Sequence, residues 1–288
     1  MALLGKPGEC SSLLQTGGKL YAGRNFDQAA ATFEQAYSLC AEPQTLILLA
    51  KAQLMAQRVE QSLAVLNRYL AGQQRDADAL KLKGDVLYLL GREQDAEDTL
   101  LHALEIQPEH AEAEYALARI RYQQNRFPEA IERFRKLIDR DPRNYKAQDN
   151  LALCYAAMQQ DALALTHFLK ALELVHKSHP EYDTVYANAS RFFFDHGDFE
   201  KAFQLGAEAA KRNPSYARNF FLTGKALVRL DRDELSIRWF RQAADLDPTY
   251  KDPHYWLATV YRKLGKPDEA ERSLARFREL SKVPEVKR

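Results

Sequence analysis

The 288-residue chain predicts an all-α solenoid of about eight helix-turn-helix repeats with no β-sheet. Three observations predict it. Residues 77–108 hold two amphipathic helical patterns that meet at Gly91-Arg92 and close at Pro108, and the plan returns 34 residues later from Ala111 to Pro142, then from Tyr145 to His176. A fixed period of this length is the signature of a repeat architecture. Small residues recur at two fixed places of every unit. No segment alternates apolar and polar residues as a half-buried strand would.

The repeats are read in order. Residues 1–9 form an expected flexible lead. Repeat 1 (about 10–42) is the least regular: Gly17 and Gly18 weaken its first helix, each by ~1 kcal/mol relative to Ala, while Ala29, Phe33 and Ala36 share one face of its second. Repeat 2 (43–76) opens at Pro43 and carries Gln57 at the turn. Repeats 3 (77–110), 4 (111–144) and 5 (145–178) run in register, with Gly91, Asn125 and Gln159 at the turns. Gly and Asn tolerate the left-handed conformation of a helix end, Gln less well. Four residues, 179–182, then interrupt the period, and the helix before them should stop ahead of Pro180. Repeats 6 (183–216), 7 (217–250) and 8 (251–284) restore it, and a charged tail, 285–288, follows. Arg272, Arg276 and Glu279 give the last helix a polar outer face.

Counted within each repeat, place 8 holds Ala50, Gly84, Ala118, Ala152, Ser190, Gly224 and Ala258. Place 20 holds Ala29, Ser62, Ala96, Ala130, Ala164, Ala202, Ser236 and Ala270. Place 24 is large (Phe33, Leu66, Leu100, Phe134, Phe168, Phe240, Leu274) except at Gly206, and place 32 is Pro108, Pro142, Pro214 and Pro248. Antiparallel helices approach closely only where small residues cross, and bulky neighbours fill the grooves. Proline lacks an N–H and ends the second helix. One pair cannot bury its own apolar stripe, so neighbours must stack. This framework resembles the tetratricopeptide repeat (TPR) family. The resemblance implies a right-handed superhelix whose first helices line a concave groove, with places 2, 5, 6, 9, 12 and 13 facing inward.

Composition leaves few alternatives. Apolar residues make up 46% and charged residues 28%, with a formal net charge of +1. A near-neutral chain offers no bulk electrostatic attraction to nucleic acid or an anionic membrane. No apolar run is long enough to span a bilayer, and MALLGKPGEC is not a secretory signal. A cytoplasmic location is expected, an exported or periplasmic one if a signal was removed. The three cysteines form no CxxC and no zinc spacing. Cys154 falls among framework residues and reads as a buried thiol. Cys10 and Cys40 bracket the first helix pair; they are expected as free thiols, and the alternative disulfide needs their Cα atoms within about 7 Å.

No cofactor is implied: P-loop, GxGxxG, HExxH and GxSxG motifs are all missing. His176 and His179 read as solvated residues rather than metal ligands. Asp95, Glu97 and Asp98 read as solvated charges on helix faces. The informative surface is the inner one that the resemblance implies. Its candidate ligand-binding residues are Tyr115, Arg119, Tyr122, Asn150, Asn188, Arg191, Phe194, Phe221, Lys225, Tyr255 and Arg262. Tyr and Arg are enriched where binding energy concentrates, and an Asn amide can both donate to and accept from an extended backbone. The bland alternative is that Tyr115, Tyr122 and Phe194 pack between neighbouring first helices. A carboxylate clamp of the kind some TPR proteins use fails in the best-matching trio, repeats 3–5: Lys81 and Lys146 fit, but Asp85, Ala116 and Asn150 do not.

The expected function is a non-enzymatic scaffold that binds a protein or peptide in the groove, around Arg119, Asn150, Asn188, Arg191, Phe194 and Lys225. Local basic excess there favours an acidic or C-terminal carboxylate element. An assembly module acting by self-association is the second class. An RNA-binding repeat protein is the third, weakened by Asp85, Asp149, Asp195 and Asp252 on the inner face.

Overall fold

The computed structural model describes residues 7–179 and 181–282, and among these it contains sixteen helices and no strand. They form two compact units, Met1–Leu137 and Ile138–Arg288. The first unit holds α1 (Pro7–Ala22), α2 (Phe26–Cys40), α3 (Pro43–Met55), α4 (Val59–Gly72), α5 (Ala77–Leu89), α6 (Glu93–Ile106) and α7 (Ala111–Gln123). The boundary falls within α8 (Phe127–Arg140). The second holds α9 (Tyr145–Ala157), α10 (Asp161–Ser178), α11 (Thr184–Asp195), α12 (Phe199–Arg212), α13 (Ala217–Arg229), α14 (Asp233–Leu246), α15 (Asp252–Lys263) and α16 (Pro267–Ser281). Most of the expected lead and the 285–288 tail lie outside the described residues; residues 7–9 belong to α1.

The small-residue places act as close crossings. A Cβ on Gly17 would come within 2.6 Å of the Phe33 ring, on Gly84 within 2.7 Å of Leu100, and on Gly224 within 2.7 Å of the Phe240 ring. Gly17 is thus the place-8 residue of repeat 1 and is required by Phe33, not merely tolerated. Gly18, with nothing near it, is not. Two serines at crossings donate across them, Ser62 to the Ala50 carbonyl at 2.8 Å and Ser190 to that of Ala202 at 2.7 Å, while Ser236 donates within its own helix to the Asp233 carbonyl at 2.7 Å. Gly206, the exception at place 24, leaves room that Thr223 and Ser190 occupy. Phe33, Leu66, Leu100 and Phe134 in the first unit, and Phe168 and Phe240 in the second, are almost wholly buried.

Each hairpin turns the same way. Arg24, Gln57, Gly91, Asn125, Gln159, Gly197, Asp231 and Gly265 all have positive φ. Around Asn125, its own N–H donates to Tyr122 O at 3.0 Å and Arg126 N–H to Arg121 O at 2.9 Å. The other turns repeat this pair of bonds, a Schellman ending of the first helix. The glutamines therefore adopt the left-handed conformation despite its cost, because the hairpin bonds impose it. Asp76, His110 and Asn144, the residues preceding α5, α7 and α9, cap them: each side chain accepts from the N–H three residues on.

Two sequence expectations are corrected. Cys10 and Cys40 are bridged, with Cα atoms 6.2 Å apart, because the antiparallel α1–α2 hairpin returns the chain to its starting end. Glu97 is not a solvated charge. It is 5% exposed and meets the buried Arg121 at 2.6 Å, with Arg126 at 3.3 Å. The α6 face that carries it is covered by α7, which contributes Arg121. Cys154 is buried as expected, and burial pushes its thiol up to about 12.

Candidate functional site

The second unit gathers part of the predicted groove into one cavity. Its first helices α11, α13 and α15 pack in succession. Arg191 and Phe194 come from α11, and Phe221 and Lys225 from α13. Together with Arg218, Leu222, Tyr250, Asp195 and Asp252 they line a cavity of about 220 Å³. Four of the eleven predicted residues therefore converge. Their spacing explains it: residues 191 and 225 occupy the same place in successive repeats, so stacking sets them side by side.

The electrostatics of the cavity are unusual. Lys225 Nζ lies 4.6 Å from the centroid of the Phe194 ring, 5.9 Å from Phe221 and 5.8 Å from Trp256. Burial, with the like charge of Arg191 added, holds its ammonium below the usual lysine range, although Asp195 and Asp252 work the other way. The rings supply the cation with π-face attraction. Among the described residues, no carboxylate lies within ion-pair distance of Lys225 or Arg218, and Arg191 reaches Asp195 only at 3.7 Å. Tyr250 meets the Phe221 ring edge-on at 5.1 Å, and burial raises its phenol well above the usual value. Its hydroxyl has no hydrogen-bond partner among the described residues.

The remaining predicted residues lie elsewhere. Asn188 donates its amide to Asp149 at 2.8 Å, and Asn150 donates to the Lys146 carbonyl at 2.9 Å. Both amides thus bond within the fold, and neither lines the cavity. Tyr255 is half exposed and packs on Phe277, ring centroids 5.5 Å apart, while Arg262 is exposed in the last turn of α15. In the first unit, Arg119 is exposed on α7. Tyr115 pairs with Phe134 at 5.9 Å and Tyr122 with Phe127 at 5.6 Å. Phe194 likewise meets Phe199 at 5.4 Å. Each of these aromatics meets a ring of the second helix of its own hairpin, and Phe194 also faces Lys225 of the neighbouring first helix, α13. The Tyr21–Phe26 pair at 5.3 Å sits at the same places as the Tyr122 and Phe194 pairs. An aromatic pair five residues apart across the turn is thus a recurring staple.

Sequence reasoning missed Arg218 and Tyr250. The signal was present at place 34. That place carries the capping residues Asp76, His110 and Asn144 in repeats 2–4, and tyrosine at 216 and 250. Tyr216, at the cap of α13, makes no side-chain cap bond, and at α15 the cap position falls on Lys251, one residue after Tyr250.

Comparisons with known proteins place the architecture. Tetratricopeptide-repeat family models match residues 75–143, 115–183, 188–251 and 239–272. A curated relative from Hordeum vulgare, "Probable UDP-N-acetylglucosamine–peptide N-acetylglucosaminyltransferase SPINDLY", is 25% identical over 160 residues, covering 53% of this chain. The aligned segment makes up 16% of that protein. A tetratricopeptide repeat protein from Parabacteroides merdae has a TM-score of 0.69 at 15% identity, covering 92% of this chain and 98% of that one. The Cut9–Hcn1 structure of APC/C has a TM-score of 0.69 at 14% identity, with coverage of 98% and 55%. Pseudomonas aeruginosa pilF has a TM-score of 0.63 at 19% identity, with coverage of 73% and 93%. At these identities the solved structures speak for the fold alone.

Proposed function

The chain belongs to the tetratricopeptide repeat family, and we propose that it is a non-catalytic scaffold binding an acidic segment of a partner protein on the inner face of its second unit. The family's general role is protein–protein interaction. The observation that carries the reading here is the α11–α13–α15 cavity. It collects Arg191, Arg218 and Lys225 against two carboxylates; Arg191 and Arg218 are exposed to solvent, while Lys225 is half-buried with no carboxylate at ion-pair distance among the described residues. A half-buried cation without an acceptor costs free energy that an incoming anion returns. The flanking aromatics add contact area at low entropy cost. The exposed side chains of Tyr255 and Arg262 extend the candidate surface of the second unit beyond the cavity, and Arg119 is a separate candidate on the first unit.

The activity in the barley relative's name does not transfer, because this chain corresponds to a small share of that protein and to its repeat region. Among the described residues, no helix is long and apolar enough to cross a membrane. The Cys10–Cys40 bond weighs toward an oxidising compartment over the cytoplasmic location first expected, since disulfides persist where thiols are not kept reduced.

The test is capture of partners from a lysate of the source cells, identified by mass spectrometry, with the native chain and with Arg191→Glu/Lys225→Glu. Loss of the specific partners with helical content preserved is expected. Equal capture by both chains would place the binding surface elsewhere.

A further inference from the structure

We propose that the Cys10–Cys40 bond is a redox-operated clasp: it holds α1 on α2, and its reduction frees that one helix and uncovers the Phe33 face of α2. The device is independent of the inner-face reading above.

The packing of α1 is thin. Among its described residues Cys10 and Gly17 alone are buried, while Leu13, Leu14, Leu20 and Tyr21 are half-buried. An isolated helix of this length is marginal in water even when rich in alanine. Three of the sixteen residues of α1 are glycines, Gly8, Gly17 and Gly18, which weaken it further. It cannot persist as a helix unless something holds it down. One end is fixed by the turn, where Asn25 N–H donates to Leu20 O at 2.9 Å and Tyr21 meets Phe26 at 5.3 Å. The other end is fixed by the bridge. Between them Gly17 lies against the Phe33 ring, which is 2% exposed. By contrast α2 packs on α3 as well as on α1, so it keeps a partner when α1 leaves.

The bridge is open to attack from one side, because Cys10 is buried and Cys40 is half-buried. A thiolate of an external dithiol attacks Cys40 Sγ, the S–S bond breaks, and Cys10 leaves as a thiolate that takes up a proton. The second thiol of the reagent then displaces Cys40 as a thiol and closes the reagent's own disulfide, so two electrons pass to the protein. Cys154 is already a thiol and does not change. The first repeat is therefore closed where thiols are oxidised and open where they are kept reduced.

The test is hydrogen exchange read by mass spectrometry on the whole native chain, with and without dithiothreitol. Opening the bridge removes the constraint on a loop of roughly 15 residues, so α1 amides should exchange about 100-fold faster after reduction. Trypsin should cut after the exposed Lys19 correspondingly sooner. The helix α16 is the internal control: it too buries a single residue, Ala270, but it has no bridge and no glycine, and should exchange alike in both states. Gly18→Ala, where an added Cβ meets nothing, should slow α1 exchange in the reduced chain about 5-fold. Exchange of α1 unchanged by reduction overturns the proposal, since apolar packing alone would then hold the helix. Acceleration shared equally from α1 to α7 also overturns it, since the bridge would then support the whole unit and not one helix.

Discussion

Asp149 is the most exacting test of how the second unit holds together. It lies on α9, 2% exposed, and its Oδ2 accepts from Asn188 of α11 at 2.8 Å. Its Oδ1 is buried without a hydrogen-bond partner. Burial raises its pKa from an ordinary 3.8 to about 7, and the Asn188 bond offsets only part of that. The folded state therefore holds a proton that the unfolded chain releases near pH 4. For a group raised on folding, the stabilisation is complete below the unfolded value and disappears as pH climbs through the folded one. At ~1.4 kcal/mol per pH unit of difference, the full effect is about 4 kcal/mol, of which about 2–3 kcal/mol is lost between pH 5 and pH 8. Asp149→Asn keeps the shape and an acceptor for Asn188 and removes the titration. The measurement is urea unfolding of both chains at half-unit steps from pH 5 to 8.5, taken as a difference so that other groups cancel. The native chain should fall relative to the variant through this range, leaving Asp149→Asn the more stable at pH 8. A difference that stays level with pH would show that Asp149 is not held in a desolvated site.

Three further outcomes follow from the packing. Thiol titration of the unreduced chain in denaturant should find Cys154 alone, and Cys10→Ser/Cys40→Ser should lower the stability of the first unit by about 3–4 kcal/mol, the closure entropy of a loop of roughly 30 residues. Three titrating thiols would contradict the bridge. Gly224→Ala forces the Phe240 ring from a 2.7 Å approach. Overpacking of ~1–3 kcal/mol should exceed the gain in helix propensity of ~1 kcal/mol. Thermal unfolding should therefore show a net loss, relieved when Phe240→Leu is added. Gln159→Gly should stabilise by about 0.5–1 kcal/mol, because φ is +56° there and glycine bears no steric cost; a lower melting temperature would mean that the glutamine side chain contributes more than the strain it carries.

The architecture was legible because its causes are local and repeated. A small residue opposite a large one, a turn, and a helix-ending proline recur at fixed spacing, so chance cannot imitate them. The same logic fails where a residue's fate depends on what covers it. Glu97 looks like any acidic residue on an exposed face, and nothing in α6 alone announces that Arg121 arrives over it. Asn150 and Asn188 were chosen for what an amide can do, but a nearer acceptor inside the fold, Lys146 O or Asp149, takes the bond first. Cys10 and Cys40 were separable only by a distance, and distance between helix ends is a tertiary quantity.

The cavity shows the division most clearly. Arg191 and Lys225 were predictable because equal places in stacked repeats become neighbours. Tyr250 was not, because place 34 normally works as a cap within the backbone. Asp76, Asn144 and His110 each accept a bond from their own helix there, which ties the side chain to its own turn. A tyrosine cannot reach that N–H, so the place is freed to project a ring and a hydroxyl into the space beside the next repeat. Capping and ligand contact therefore compete for one position. At residue 250 the ring instead meets Phe221 edge-on at 5.1 Å and lines the cavity, a placement that a residue tied to its own turn could not take.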